Sequence, residues 1–263
     1  MARLPRIPDL LTTANLACGV ASILLASQGQ LTWACWLVFA GALFDVFDGL
    51  AARALGGGTP LGAQLDSLAD MVTFGVAPAF IVFSLPSWPS THVMFDVLRK
   101  DTSIVACIDP YFGRLHFVPP LAIAIASAWR LAKFNIDTRQ STGFIGLPTP
   151  ANGLFWASIP LCIGTGLINR GLGYESIQSS LILLALPITS TFVSLMLGAL
   201  MLSSIPLPSL KFKHMGWKGN EVIYLLLGIG AVLVVLYGVL AVPLILVIYL
   251  LSPLWGRVFP KTA

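Results

Sequence analysis

Charge is scarce in this chain: only 10% of its 263 residues are Asp, Glu, Lys or Arg. A soluble domain carries about 25%. Too few polar side chains exist to clothe a water-facing surface over a sequence that is 57% hydrophobic. Histidine is rarer still, and His92, His116 and His214 share no ligand spacing. The four cysteines, Cys18, Cys35, Cys107 and Cys162, are far apart in sequence. With no CxxC pair and no zinc spacing they read as small core residues. The basic excess of +4 is scattered between apolar runs. That excludes a nucleic-acid surface and suits charges that set membrane orientation. There is no low-complexity tail, no clear repeat and no polar stretch able to form a soluble domain. Arg3, Arg6 and Asp9 precede the first apolar run without a convincing cleavage site, so the first span is expected to be retained.

What the chain has in abundance is long apolar runs, with a mean hydropathy of +0.88. Several approach the ~20 residues that a helix needs to cross a bilayer. The expected fold is all-α: a polytopic transmembrane bundle of about eight spans, at 10–27, 31–52, 63–85, 115–134, 151–168, 178–202, 221–237 and 239–255. Gly238 and Pro243 mark a break between the last two. With a cytoplasmic N-terminus, eleven basic residues fall inside: Arg3, Arg6, Arg53, Arg130, Lys133, Arg139, Lys211, Lys213, Lys218, Arg257 and Lys261. Four fall outside: Arg99, Lys100, Arg114 and Arg170. The asymmetry follows the positive-inside rule. The Trp and Tyr residues mostly stand near span ends, as an aromatic belt does. The longest non-membrane segment, 86–114, has room for a short interfacial helix. The chain 1–263 is read as one domain, with a motif hairpin at 45–70, acceptor-side segments at 130–153 and extra C-terminal spans at about 221–255.

The most informative stretch is DVFDGLAARALGGGTPLGAQLDSLAD, residues 45–70. Asp45 and Asp48 are three apart at the end of the second span, and Asp66 and Asp70 four apart at the start of the third. Both spacings put side chains on one helix face. A short loop containing Gly56, Gly57 and Gly58 predicts an antiparallel hairpin in which all four carboxylates converge at the cytoplasmic surface. Such acids repel one another and are costly to desolvate. A divalent cation resolves both problems, and an all-oxygen donor set favours Mg²⁺ or Mn²⁺, with room for two ions. Gly49, Ala52 and Gly62 are small enough to let a phosphate-bearing ligand approach the backbone, and Arg53 supplies a positive charge for it. Two other readings of the acids are structural salt bridges to cytoplasmic basic residues and a cation or proton pathway. The clustering at one surface, with no further acid deep in later spans, weighs against a pathway.

This segment resembles the signature of the CDP-alcohol phosphotransferase family, D-x-x-D-G-x-x-A-R, eight residues, G-x-x-x-D-x-x-x-D. Asp45, Asp48, Gly49, Ala52, Arg53, Gly62, Asp66 and Asp70 fill every fixed position. The resemblance implies a six-helix catalytic core, usually homodimeric, that holds two divalent metals. It implies transfer of a substituted phosphate from a CDP-linked donor to an alcohol, with release of CMP. Asp70 would be the general base, and Asp45, Asp48 and Asp66 would bind metal, with Asp70 able to share in that. Gly49, Ala52, Arg53 and Gly62 would contact the CDP-lipid.

Two further segments bear on the acceptor. RLAKFNIDTR (130–139) ends the fourth span, and GFIGLPTPANG (143–153) precedes the fifth. Both lie on the side of the aspartates. Arg130 and Lys133 share a face, with Asn135 just beyond, and suit an anionic group: the acceptor's carboxylate or the donor's phosphates. Positive-inside anchoring is the plainer account of the two cations. Pro148 and Pro150 stiffen a loop in which Gly146 and Gly153 allow tight turns. Both segments, and I-P-D-L-L-T-T-A-N-L-A-C-G at 7–19, resemble the phosphatidylserine synthases of the family. That resemblance implies CDP-diacylglycerol and L-serine as substrates, phosphatidylserine and CMP as products, and a bacterial-type inner membrane with a cytoplasmic active site. The alternatives are the same chemistry with glycerol 3-phosphate or an inositol phosphate, or a divalent-cation transporter. Thr12 and Asn15 are polar within the first span; they either line the nucleotide pocket or bond between helices.

Overall fold

The computed structural model describes residues 6–85, 115–136, 144–164, 184–207 and 221–258. The segment 86–114 and many of the basic loop residues used above to orient the chain lie outside the described residues. The architecture is a helical bundle, and helices occupy all eight expected span positions. α1 is Ile7–Ser27 and α2 is Leu31–Ala54. The third span is composite: α3 (Pro60–Asp70), a wide π-turn (Met71–Val76) and α4 (Ala77–Ser84). α5 is Val118–Ile136, α6 is Thr149–Gly164 and α7 is Pro187–Leu202. α8 (Glu221–Tyr237) and α9 (Ala241–Val258) are separated by one 3₁₀ turn, Gly238–Leu240. Four helical stretches are long and apolar enough to cross a membrane: Ile7–Ser27, Leu31–Ala54, Pro60–Ser84 and Tyr224–Leu251. At 1.5 Å per residue, the 24 residues of α2 reach about 36 Å, beyond the ~30 Å hydrocarbon core. The chain is an integral membrane protein. Leu43, Val46, Phe47 and Leu50 on α2, and Val232, Val234, Val235 and Leu236 on α8, are exposed as lipid-facing side chains must be.

Local chemistry explains the boundaries. The Arg6 amide donates to the Asp9 carboxylate (3.1 Å), tying down the first turn of α1. Gly29, at φ +76°, turns the chain between α1 and α2. Between α2 and α3, Gly56 and Gly57 adopt φ +90° and +107°. Thr59 then caps α3 by accepting the Gly62 amide (2.9 Å), with Pro60 at the first helical position. Gly238, at φ +57°, makes the expected break. Gly230 on α8 lies within reach of Ile245 on α9, residues that a straight helix would hold about 22 Å apart, so α8 and α9 fold back on each other.

The π-turn has a sequence cause. Pro78 has no amide hydrogen, and its ring collides with the carbonyl four residues earlier, that of Phe74. The helix widens instead, and the Ala77 amide reaches back five residues to the Val72 carbonyl. This turn is the hub of the bundle. A Cβ on Gly19 of α1 or on Gly41 of α2 would fall 2.5 Å from the Thr73 side chain, and one on Gly153 of α6 would fall 2.8 Å from the Phe74 carbonyl oxygen. One apolar core surrounds it, with Cys35, Val38, Phe74, Ile81 and Leu161. A second lies between α5, α6, α7 and α9, with Ile123, Leu147, Trp156, Leu197 and Tyr249.

Three expectations are corrected. α2 and α3 do not pack on each other along their length: α1 packs against both, and α2 meets the third span mainly at the π-turn and α4 beyond α3. The carboxylates of the two helices still converge, and α1 adds polar side chains beside them. Gly153 makes no turn; it lies inside α6 and exists for the close approach to Phe74. Trp156 belongs to no interfacial belt, being 1% exposed in the core. Gly146 does turn (φ +73°), and it passes under α7 through bonds from the Gly146 amide to the Ile205 carbonyl and from the Leu147 amide to the Leu200 carbonyl. A two-residue antiparallel pairing, β1 (Phe144–Ile145) with β2 (Pro206–Leu207), pins the same loop.

Candidate metal centre and its neighbourhood

The last two turns of α2 carry Asp45 and Asp48, and α3 carries Asp66 and Asp70. The fold brings them together. One carboxylate oxygen from each of Asp45, Asp48 and Asp66 lies within 4.8 Å of the other two. Asp70 stands beside this trio, close to Asp45. Asp48 is buried at 6% exposure, and the other three are half-buried.

α1 supplies the polar contacts. The Thr12 hydroxyl donates to Asp48 Oδ2 at 2.7 Å, and the Asn15 amide to Asp70 Oδ1 at 3.4 Å. Thr12 and Asn15 are 3% and 0% exposed, so these bonds act where little water competes. Their role between helices was one of the two readings open in the sequence. What the sequence did not disclose is that their partners are the aspartates; the only signal was polarity at positions three apart in an apolar run.

The trio fits a hard divalent cation. The donors are all carboxylate oxygens, as Mg²⁺ and Mn²⁺ prefer. Asp66 Oδ1 is buried with no hydrogen-bond partner among the described residues, and such an atom requires an explanation, an ion being one.

The remaining expected residues fall into two groups. Arg53 is exposed at the end of α2 and folds back toward Gly49, where a Cβ would be 3.6 Å from its Nη1. Ala52 is half-buried on the same turn. The space beside Gly62 is occupied by Asp9 Oδ1 and Thr59 Oγ1, at 3.0 and 3.1 Å from where a Cβ would sit. On α5, Arg130 and Lys133 differ sharply. Arg130 is 7% exposed, donates from Nη1 to Thr149 Oγ1 (3.4 Å), and lies over the Phe134 ring with its charge near Asp70. Lys133 and Asn135 are exposed, and Asn135 accepts a bond from the Ser67 hydroxyl (3.0 Å) on α3. Arg130 is thus brought to the acids, and Lys133 stays on the outer face of its helix. Arg139 lies outside the described residues.

Comparison with known proteins agrees with this geometry. Residues 6–192 match the CDP-alcohol phosphatidyltransferase family, a segment running from α1 into α7 and containing all four aspartates. The chain is 33% identical over 229 residues to the CDP-diacylglycerol–serine O-phosphatidyltransferase of Helicobacter pylori, covering 86% of this chain and 81% of that one. It is 33% identical over 148 residues to the enzyme of the same name from Bacillus subtilis, covering 56% of this chain and 71% of that one. It is 29% identical over 204 residues to the archaetidylserine synthase of Methanothermobacter thermautotrophicus, covering 77% and 69%. The chain belongs to the CDP-alcohol phosphatidyltransferase family.

Proposed function

We propose that this enzyme transfers the phosphatidyl group of CDP-diacylglycerol to L-serine, giving phosphatidylserine and CMP. The observation that carries the reading is the convergence of Asp45, Asp48 and Asp66, with Asp70 beside them, on the hairpin of the family signature. The names of the Helicobacter and Bacillus relatives support serine as the acceptor.

In this reading Asp45, Asp48, Asp66 and, in part, Asp70 hold two Mg²⁺ or Mn²⁺ ions. When bound, the ions neutralise charge on the donor phosphates and on the leaving CMP. Gly49, Ala52, Arg53 and Gly62 line the path of the CDP-lipid, and Arg53 pairs with its phosphate charge. Asp70 takes the proton of the serine hydroxyl as the oxygen attacks the phosphorus bonded to diacylglycerol; the bond to the CMP oxygen breaks and CMP leaves. A carboxylate is a weak base at neutral pH, so proton transfer is concerted with attack. Arg130 binds an anionic group beside Asp70, with Lys133 and Asn135 at the rim. The whole chain, 1–263, acts as one domain in a homodimer within a bacterial-type inner membrane. A site on the cytoplasmic face draws acyl chains from the leaflet and serine from the cytosol.

The test is CMP release by purified protein in detergent with CDP-diacylglycerol, metal and a panel of alcohols. Serine alone among them is expected to support release, chelation to stop it, and Asp70→Asn to lower kcat by about 10²–10⁴-fold. Release driven by another alcohol overturns the serine assignment. No release with any acceptor from folded protein overturns the catalytic reading.

A further inference from the structure

Besides Asp66 Oδ1 and Asn15 Oδ1, the described interior holds four buried side-chain polar atoms without a hydrogen-bond partner among the described residues: Ser127 Oγ, Arg130 Nε, Asn152 Oδ1 and Trp156 Nε1. Their residues are 0%, 7%, 1% and 1% exposed. A buried group left unpaired carries its full desolvation penalty, and in a bilayer interior water is a poor remedy.

The four belong to two facing helices. Ser127 and Arg130 are three apart on α5, hence on one face. Asn152 and Trp156 are four apart on α6, and Thr149, three before Asn152, shares that face. The bond from Arg130 to Thr149 joins the two faces. Both close on the π-turn directly after Asp70. A Cβ on Gly75 would fall 3.0 Å from Ser127 Cβ, and one on Gly153 would meet Phe74. Arg130 lies near enough to Asp70 and to the buried Tyr249 of α9 for its charge to act on both.

The chemistry of the unpaired atoms is divided. Arg130 Nε and Trp156 Nε1 can only donate, which suits a carboxylate. Asn152 Oδ1 can only accept and Ser127 Oγ can accept, which suits an ammonium. A phosphate-bearing alcohol offers Asn152 only a neutral hydroxyl and brings a dianion to the other half; a zwitterion satisfies both halves with charge-assisted bonds. Resting on the proposed serine reading, we propose that Ser127, Arg130, Asn152 and Trp156 form the acceptor pocket and recognise an amino-acid zwitterion. Its carboxylate lies on Arg130 and Trp156, its ammonium on Asn152 and Ser127, and its hydroxyl points to Asp70.

The experiment uses the full chain in detergent with CDP-diacylglycerol and Mn²⁺. The acceptors are serine, ethanolamine (no carboxylate), 3-hydroxypropionate (no ammonium) and glycerol 3-phosphate. Wild type is expected to prefer serine over each single-charge analogue by at least about 100-fold in kcat/KM, since each analogue leaves part of the pocket unpaired. Asn152→Ala is expected to raise the KM for serine by about tenfold or more while KM for CDP-diacylglycerol stays within about twofold, and to shrink the preference over 3-hydroxypropionate. Asn152→Asp keeps an acceptor oxygen and is expected to retain that preference. An unchanged serine KM in folded Asn152→Ala, or equal rises in both KM values, overturns the pocket. If Asn152→Ala does not fold, loss of the preference in Asn152→Asp overturns it. Wild type that works with glycerol 3-phosphate and not with serine refutes the serine reading itself, and the pocket with it.

Discussion

Thr12 illustrates how a single hydroxyl can govern a charged site. It is buried, and it donates 2.7 Å to Asp48, one of three carboxylates gathered on two other helix turns. A hydrogen bond to a metal-binding carboxylate fixes its orientation, and losing such a partner typically costs 10–100-fold in metal affinity or activity. Thr12→Ala is therefore expected to raise the Mn²⁺ concentration for half-maximal CMP release by about 10–100-fold. Thr12→Ser, which keeps the hydroxyl, should restore it. An unchanged metal requirement in Thr12→Ala would show that Asp48 is held by other means. The four aspartates were legible in the sequence because their spacing alone sets them on helix faces. Thr12 and Asn15 were not, since a polar residue in an apolar span gives no hint of its partner until another helix is placed beside it.

At the scale of the element, the third span carries the most consequence. Pro78 widens the helix after Asp70 into a π-turn, and glycines on three other helices close on that turn. Gly153→Ala would place a Cβ 2.8 Å from the Phe74 carbonyl oxygen and 2.9 Å from its Cα. Neither backbone atom can swing aside. The substitution is expected to destabilise by about 1–3 kcal/mol and to lower the thermal midpoint in detergent. Gly228→Ala is the control: nothing lies within 4 Å on the exposed face of α8, and alanine is the better helix former. Equal melting of the two variants would refute the hub. Gly153 was misread as a turn residue because glycine serves both turning and close approach, and only the neighbouring helix tells them apart. Pro78 was a visible signal for the irregular turn.

At the scale of the whole molecule, the described residues concentrate four acids in a bundle that carries few other charges among them. That arrangement works against stability until a cation is bound. Mn²⁺ or Mg²⁺ at about 100 times its dissociation constant should stabilise the fold by about 2.7 kcal/mol and raise the melting temperature. In chelator, Asp66→Asn should melt at or above wild type, because one repelling charge is gone, and it should lose most of the metal-induced shift. A shift of equal size in both would place the ion elsewhere. The sequence by itself determined the bundle, its span positions and the helix faces that carry the four aspartates, because hydrophobic run length and three- and four-residue spacings are local properties of a helix. Only the tertiary structure decided that α1 packs against both α2 and α3, that Arg130 turns inward while Lys133 faces out, and that Asn152 and Trp156 share a buried polar face with Arg130. Those outcomes depend on which helix packs beside which, and a helix crossing a membrane carries the same local pattern whatever its neighbours are.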